Sequence, residues 1–380
     1  MAVVIVTKNK KKCNGCGACK QICPRQCISM EEDSEGFLYP QIDNKKCIHC
    51  NLCDKVCSEL HPFSIQEPLI CLAAKNNDTK IKLNSSSGGI FSALAEFTLS
   101  KGGIVFGARF DDNWGVVMDY IDTKDDLWKF RGSKYLKCDI GQTYLQAKSF
   151  LEKGLLVLYT GSSCQIAGLK RFLKIDYTNL IAVDYLCHGA PSPLLWKKYL
   201  NQIMHGNISK IKEISFRNKK RGWRNFSLII NSEQENIIDD IFSENAYMKA
   251  FLSDLSLRPS CYSCSARNGH ASSDITIGDH WAINTINPEF DDDMGVSLIL
   301  VNTIKGIEIF KQLNINSLKT DFQLSKKWNG AFYPQTEEHL HRKRFFKQLL
   351  NTNDVISLIE KELKISFWDH LVKHLFFFKH

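Results

Sequence analysis

Two short stretches, "CNGCGACKQICP" at residues 13 to 24 and "CIHCNLCDKVCS" at residues 47 to 58, hold eight of the fifteen cysteines in this 380-residue chain. Each reads C-x2-C-x2-C-x3-C, and the second repeats the first at an offset of 34 residues, so the segment is an internal duplication. Three cysteines at two-residue gaps wrap one face of a 4Fe-4S cube. The fourth, at the far end of a short helical turn, points away from its own trio and reaches the other cluster. The spacing therefore assigns cluster one to Cys13, Cys16, Cys19 and Cys57, and cluster two to Cys47, Cys50, Cys53 and Cys23. A zinc module uses two close ligands and then a distant pair, which this doubled pattern does not match.

Over about residues 5 to 66 the segment resembles the bacterial two-cluster ferredoxins, with Ser58 where proline commonly follows the second motif. Cys27 lies outside both quartets and is expected to pack as a small buried thiol. A pair of clusters moves single electrons and performs no substrate chemistry, so the remaining chain has to supply the rest.

With 44% apolar residues and nine prolines the chain is long enough for two or three cored domains. No run reaches the eighteen or so apolar residues of a membrane span. The opening "MAVVIVTKNKKKC" is too short for a signal h-region, and many thiols without an export signal indicate a reducing, cytoplasmic setting in which cysteines bind metals. The net charge of +8 is scattered, with no aromatic-interleaved basic stripe of a nucleic-acid binder. Three oxidised clusters at about −2 each, thiolates included, would bring it to roughly +2.

After Pro62 and Pro68 the chain alternates helical and strand-like segments, which sets a boundary near residue 67. "NSSSGGIFSALAEFTLSKGGIVFGARF" predicts a Ser/Gly loop, a helix from about Ile90 to Ser100 and a strand from about Ile104 to Phe110. Ser86, Ser87, Gly88 and Gly89 would offer N–H groups and hydroxyls to an anion at the helix start, unless they form an ordinary N-cap. A strand at Leu155 to Thr160, a helix after Cys164 and a strand at Leu180 to Leu186 predict a parallel βαβ unit. Cys164 and Cys187 would then lie at the same sheet edge. Cys261 and Cys264, in "RPSCYSC" before a strand at about Asp274 to Ile277, add a C-x2-C corner. These four thiols could hold a third 4Fe-4S cluster or, by spacing alone, zinc.

The strings "SSSGGIFSAL", "GSKYLKC", "GSSCQIAGLKRFL", "VDYLCHGAPSPLLWKKYL", "FRNKKRGW", "LRPSCYSC" and "SDITIGDHW", in this order over roughly residues 67 to 300, resemble the coenzyme F-420 hydrogenase/dehydrogenase beta-subunit family. The resemblance implies FAD, an additional 4Fe-4S cluster on Cys164, Cys187, Cys261 and Cys264, and flavin contacts at Ser86, Ser87, Gly88, Gly89, Gly132, Ser133, Lys134 and Tyr135. Arg217 and Lys219 are candidates for a phosphate or acidic substrate, or else a solvated basic patch. His280, in "GDHWA" where the family has "GDFWG", is a candidate proton donor or a polar substitution, and Ser163 replaces the usual proline. Asp184 and His188 flank Cys187, with acid–base duty or support of the ligands as alternatives, and Cys71 and Cys138 stay unassigned.

The expected fold is mixed, α+β and α/β. A ferredoxin-like module (1–66) precedes an α/β flavin- and iron–sulfur-binding domain (67–330, halves 67–155 and 156–330) and a helical C-terminal extension (331–380). The tail "SFWDHLVKHLFFFKH" would pack on the body or touch a membrane surface or partner. Function is expected to be that of an iron–sulfur flavoprotein oxidoreductase passing electrons from a ferredoxin-type donor to a small-molecule or deazaflavin-type substrate, surface polysaccharide assembly included. The alternative is a non-catalytic electron-transfer subunit docked on a catalytic partner.

Overall fold

The computed structural model describes residues 9–233, 235–332 and 336–364. The cysteine-rich segment folds as helix α1 (Ala18–Ile22), hairpin strands β1 (Ile28–Glu32) and β2 (Leu38–Ile42), and helix α2 (Leu52–Lys55). β1 and β2 pair antiparallel, with Ile28 opposite Ile42 and Glu32 opposite Leu38. The hairpin closes the duplicated loops into one unit, and α1 lies against α2.

The body begins with β3 (Ile70–Asn76), α3 (Ile90–Ser100), β4 (Ile104–Phe110), β5 (Val116–Ile121) and α4 (Thr143–Glu152). It continues through β6 (Val157–Ser162), α5 (Ser163–Leu173), β7 (Leu180–Tyr185) and α6 (Pro193–Ile203). A three-stranded antiparallel sheet follows, made of β8 (Ile211–Asn218), β9 (Ser227–Ser232) and β10 (Asn236–Ile241) with β9 in the middle. After α7 (Ala246–Leu252) come β11 (Ile275–Asp279), β12 (Ser297–Val301) and β13 (Ile315–Lys319), then helices α8 (Arg342–Leu349) and α9 (Val355–Leu363). The helix and strand anticipated at 90–100 and 104–110 occur with those bounds.

The main sheet has the order β13-β3-β12-β11-β7-β6-β4-β5. Its centre is parallel, β4 with β6, β6 with β7 and β7 with β11, and the pairs toward both edges are antiparallel. The expected βαβ unit is β6-α5-β7. Successive residues of these strands face opposite sides. Val105, Leu158 and Ile181 join Ile90, Leu94 and Leu99 of α3 in one core, and Phe106, Tyr159 and Ala182 join Ile166, Leu169 and Phe172 of α5 in the other. Helices on both faces explain why these strands read as continuous apolar runs rather than alternating ones.

A third core gathers Trp196, Tyr199, Phe216 and Tyr247 with Phe345 and Leu349 of α8 and Leu358 and Ile359 of α9. The described part of the C-terminal extension is thus helical and packed on α6, α7 and the three-stranded sheet. The "FFF" tail, residues 365–380, lies outside the described residues. Strands from before and after residue 155 interleave, β3 sitting between β12 and β13, so the two halves share one sheet. No helix among the described residues is long and apolar enough to cross a membrane.

Candidate functional site

The two cysteine quartets line two adjoining cavities in the N-terminal module. One is bordered by Cys13, Cys16, Cys19 and Cys57. The other is bordered by Cys23, Cys47, Cys50 and Cys53, and Cys53 reaches both. Each cavity therefore takes its fourth thiol from the other repeat. Gly15 and Gly17, both at φ +68, turn the chain between the first thiols in a left-handed conformation that glycine adopts without strain. Burial raises the thiols of Cys16, Cys19 and Cys57, and that of Cys53 to about 12. Desolvation disfavours bare thiolates, so a counter-charge is needed before they ionise.

Cys164 is the second residue of α5, directly after β6, and Cys187 lies two residues beyond β7, at the same carboxyl edge of the sheet. The C-x2-C corner reaches them through backbone pairing, since Arg258 N–H donates to Ala190 C=O at 2.9 Å. Ala190 N–H in turn points at Cys261 Sγ at 3.4 Å. Cys264 feels Cys164, Cys261 and Cys187 as neighbouring charges, and Cys187 feels Cys261 and Cys164. Thiols from three separate stretches thus lie near enough to influence one another, and burial raises Cys187 to about 12. Among the described residues no three His, Cys, Asp or Glu side chains close round a single metal ion.

The two thiol regions meet. α1 packs on α5, and a methyl group placed on Gly168 of α5 would lie 2.9 Å from Cys16 Cβ and Sγ. Cys16 also senses Cys164 electrostatically. The N-terminal module is clamped to the body by Arg258, whose Nε donates to Cys13 C=O at 2.8 Å and whose Nη2 donates to Leu38 C=O at 3.0 Å. Gln21 Oε1 accepts from the N–H groups of Tyr144 and Leu145 at the start of α4.

The loops named for the flavin also come together. Ser133 N–H donates to Ser86 Oγ at 2.6 Å. Gly88 and Ser87 are tied to the sheet, Gly88 N–H to Ser297 Oγ and the Ser87 hydroxyl to Val296 C=O. α3 starts from Gly89 at φ +81 with no side chain capping it, so the ordinary side-chain N-cap is not what this loop provides. Lys134 Nζ donates to the Arg131 and Gly132 carbonyls, and burial lowers it to about 8. Tyr135 stacks on Phe251 at 4.7 Å and its hydroxyl accepts from Arg217.

Arg217 and Lys219 are buried, not a solvated patch. Arg217 pairs with Asp279 at 3.0 Å. Lys219 donates to the carbonyls of Lys82, Ser87 and Met294, and burial with the nearby Arg217 charge pulls it down to about 7.

Asp184 accepts from the hydroxyls of Ser163, Ser273 and Thr276, a buried brace in which Ser163 provides a donor that proline would lack. His188 faces Asp254, with Nε2 and Oδ1 2.8 Å apart. Cys71 packs with Leu298 and Phe332. Cys138, raised to about 12 by burial, points at Asp139 C=O. The sulfur neighbours of Cys27 were not anticipated from the sequence. The residue is buried but lines the second cavity beside Cys23. Its position four residues after Cys23 was the available signal.

His280 is 1% exposed, with Nε2 3.0 Å from Thr320 Oγ1, and burial lowers it to about 4. Such a ring is neutral at pH 7 and carries a single N–H. Above pH ~6.5 both folded and unfolded chains hold it neutral; as the pH falls, the unfolded chain binds the proton first and stability is lost until about pH 4. Stability should drop by about 2 kcal/mol between pH 7 and 5 from this group. His280→Gln should flatten that slope in urea midpoints measured at the two pH values, and an unchanged slope would refute the assignment.

The chain matches two family models of the coenzyme F420 hydrogenase/dehydrogenase beta subunit, the one for its C-terminal region over residues 155–321 and the one for its N-terminal region over 71–142. A 4Fe-4S dicluster domain matches over 12–59. The F subunit of the F(420)H(2) dehydrogenase of Methanosarcina mazei is 22% identical over 216 residues, 54% of this chain and 61% of that one, so the chain spans about three fifths of that relative's length. NADH-quinone oxidoreductase subunit I 2 of Geobacter metallireducens is 39% identical over 57 residues, 14% of this chain and 44% of that one. A chain of the F420-reducing NiFe hydrogenase complex of Methanosarcina barkeri superposes with a TM-score of 0.47 at 19% identity, covering 76% of this chain and 91% of that one. The two family regions together span more than half of the sequence, and the chain belongs to the coenzyme F420 hydrogenase/dehydrogenase beta-subunit family, with a 4Fe-4S dicluster domain ahead of them.

Proposed function

We propose that the chain is the iron–sulfur electron-transfer subunit of a hydrogenase- or dehydrogenase-type assembly, relaying electrons between a redox partner and a deazaflavin-type acceptor. Cys13, Cys16, Cys19 and Cys57 would hold one 4Fe-4S cluster, Cys23, Cys47, Cys50 and Cys53 a second, and Cys164, Cys187, Cys261 and Cys264 a third. The observation that carries the reading is the contact of Cys16 with α5 at Gly168, one turn from Cys164, which lines up the module's thiols with those of the body. Cys50 of the second quartet is exposed. Clusters of this type supply one-electron steps, and FAD would supply the junction to two-electron hydride chemistry.

The residues fit FAD at the Ser86–Gly89 and Gly132–Tyr135 loops. The start of α3 lacks a side-chain cap, and a diphosphate would answer that helix terminus. Lys134 stands in the second of these loops, and Arg217 donates to the Tyr135 hydroxyl beside it. Gly132, at φ +79 with open space before it, lets the backbone approach a ligand. Domain limits near residues 66 and 330 are part of the same proposal.

Two relatives named as subunits of larger oxidoreductases favour a subunit over a free-standing reductase, and no residue of the site speaks for a polysaccharide substrate. Anaerobic purification should yield about twelve irons and one FAD per chain, with sulfide to match. Eight irons without flavin, or zinc on the third thiol set, would overturn the assignment. Steady-state turnover of a small molecule by the chain alone would favour the free-standing reductase.

A further inference from the structure

The second cavity of the N-terminal module is bordered by five thiols, one more than a cluster needs. Cys27 joins Cys23, Cys47, Cys50 and Cys53 there. It is 5% exposed, and its Sγ lies 3.3 Å from Cys23 Sγ, inside hydrogen-bonding range for sulfur. The backbone holds it in place. The turn after Cys23 is closed by Gln26 N–H donating to Cys23 C=O, Gln26 takes φ +49, and Cys27 C=O accepts from Asp43 N–H at 2.8 Å. The thiol is therefore aimed back at Cys23. Cys71 and Cys138 have no such geometry; one packs among apolar side chains and the other faces a carbonyl.

We propose that Cys27 is a positioning residue of the second cluster, a non-ligating thiol that donates its S–H to the Cys23 sulfur and makes that cluster easier to reduce than it would otherwise be. The inference rests on the ligand sets proposed above. Reduction adds one electron to the cluster and its thiolates. An S–H dipole with its positive end on a ligand sulfur stabilises the reduced state more than the oxidised one, and hydrogen bonds to cluster sulfurs are among the determinants of potential. The Cys27 proton stays on Cys27 throughout, so no further reactant is involved.

The test is a redox titration followed by electron paramagnetic resonance on the full-length, anaerobically purified chain. Cys27→Ala should keep the wild-type iron count and move one midpoint potential to a more negative value, leaving the others in place. Cys27→Ser, which keeps a donor, should fall between wild type and Cys27→Ala, and it serves as the folded variant if alanine fails to fold. Cys23→Ala should lose iron. Unshifted potentials in both Cys27 variants would overturn the proposal. So would loss of about four irons from both, because Cys27 would then be a ligand itself. A wild-type chain without iron would instead refute the ligand sets on which the inference stands.

Discussion

Gly168→Val is expected to slow the passage of electrons between the N-terminal module and the body while leaving the module's iron in place. Gly168 lies inside α5, where glycine costs about 1 kcal/mol relative to alanine, so some packing reason has to offset that cost. The reason is visible at the contact, where a single added carbon would come within 2.9 Å of Cys16 Cβ, Cys16 Sγ and Tyr144 Oη. None of these can step aside easily. Tyr144 is fully buried and its hydroxyl is committed to Gln165 C=O at 2.7 Å, while Cys16 sits in the loop pinned by Arg258. Valine would therefore push α1 and α5 apart, at about 1–3 kcal/mol of overpacking. The readout is the rate at which dithionite-reduced module clusters deliver electrons to the body, which should fall several-fold because tunnelling weakens with each ångström of added separation. Gly168→Ala should give a smaller loss. Wild-type transfer in Gly168→Val with unchanged iron would show that Cys16 is not on the path.

The parts of this molecule that sequence made legible are those fixed by local spacing. The two quartets are recognisable because a cube's ligands are set by gaps of two and three residues, and α3 and β4 because an apolar helix and a buried strand follow one another with glycines between. The carboxyl-edge location of Cys164 and Cys187 followed from the right-handed βαβ rule. What stayed hidden depends on contacts between distant residues. Gly168 reads as a weak helix residue until Cys16 is placed against it. Arg217 and Lys219 read in "FRNKKRGW" as anion-binding or solvated cations until Asp279 and three carbonyls are seen to receive them. The interleaving of β3 between β12 and β13 leaves no periodic trace, because strand order in a sheet is not encoded in any one strand. Cys27 reads by composition as a packing thiol, and its burial beside Ile28 and Ile42 agrees, yet the Cys23 sulfur is also its neighbour.

Arg258→Ala should loosen the hold of the N-terminal module on the body more than any other single truncation at its interface. The guanidinium is 1% exposed and spans the junction between the body and the loop that carries Cys13. It donates to Cys13 C=O and Leu38 C=O, lies 4.1 Å over the Tyr39 ring, and presents its face to Gly15, where an added carbon would be 3.0 Å away. Each hydrogen bond from a charged donor contributes about 1.5–3 kcal/mol, and the ring contact contributes about 1 kcal/mol or more when desolvated. Truncation removes these and leaves two buried carbonyls unsatisfied, so a loss of about 3–5 kcal/mol is expected. Arg258→Lys keeps the charge but not the fork that reaches both carbonyls, and should recover only part of the loss. The Arg342 pair with Glu35 and the Gln21 contacts remain in both variants, so the module should stay attached but open more often. The measurement is limited proteolysis between the module and the body alongside iron retention in chelator. Faster cleavage near residues 60–70 and faster loss of the module's iron are the expected outcome for Arg258→Ala, with Arg258→Lys between it and wild type. Equal rates in all three proteins would mean that the apolar contacts alone hold the module, and that the guanidinium does not set how closely Cys13 and Cys16 approach the body.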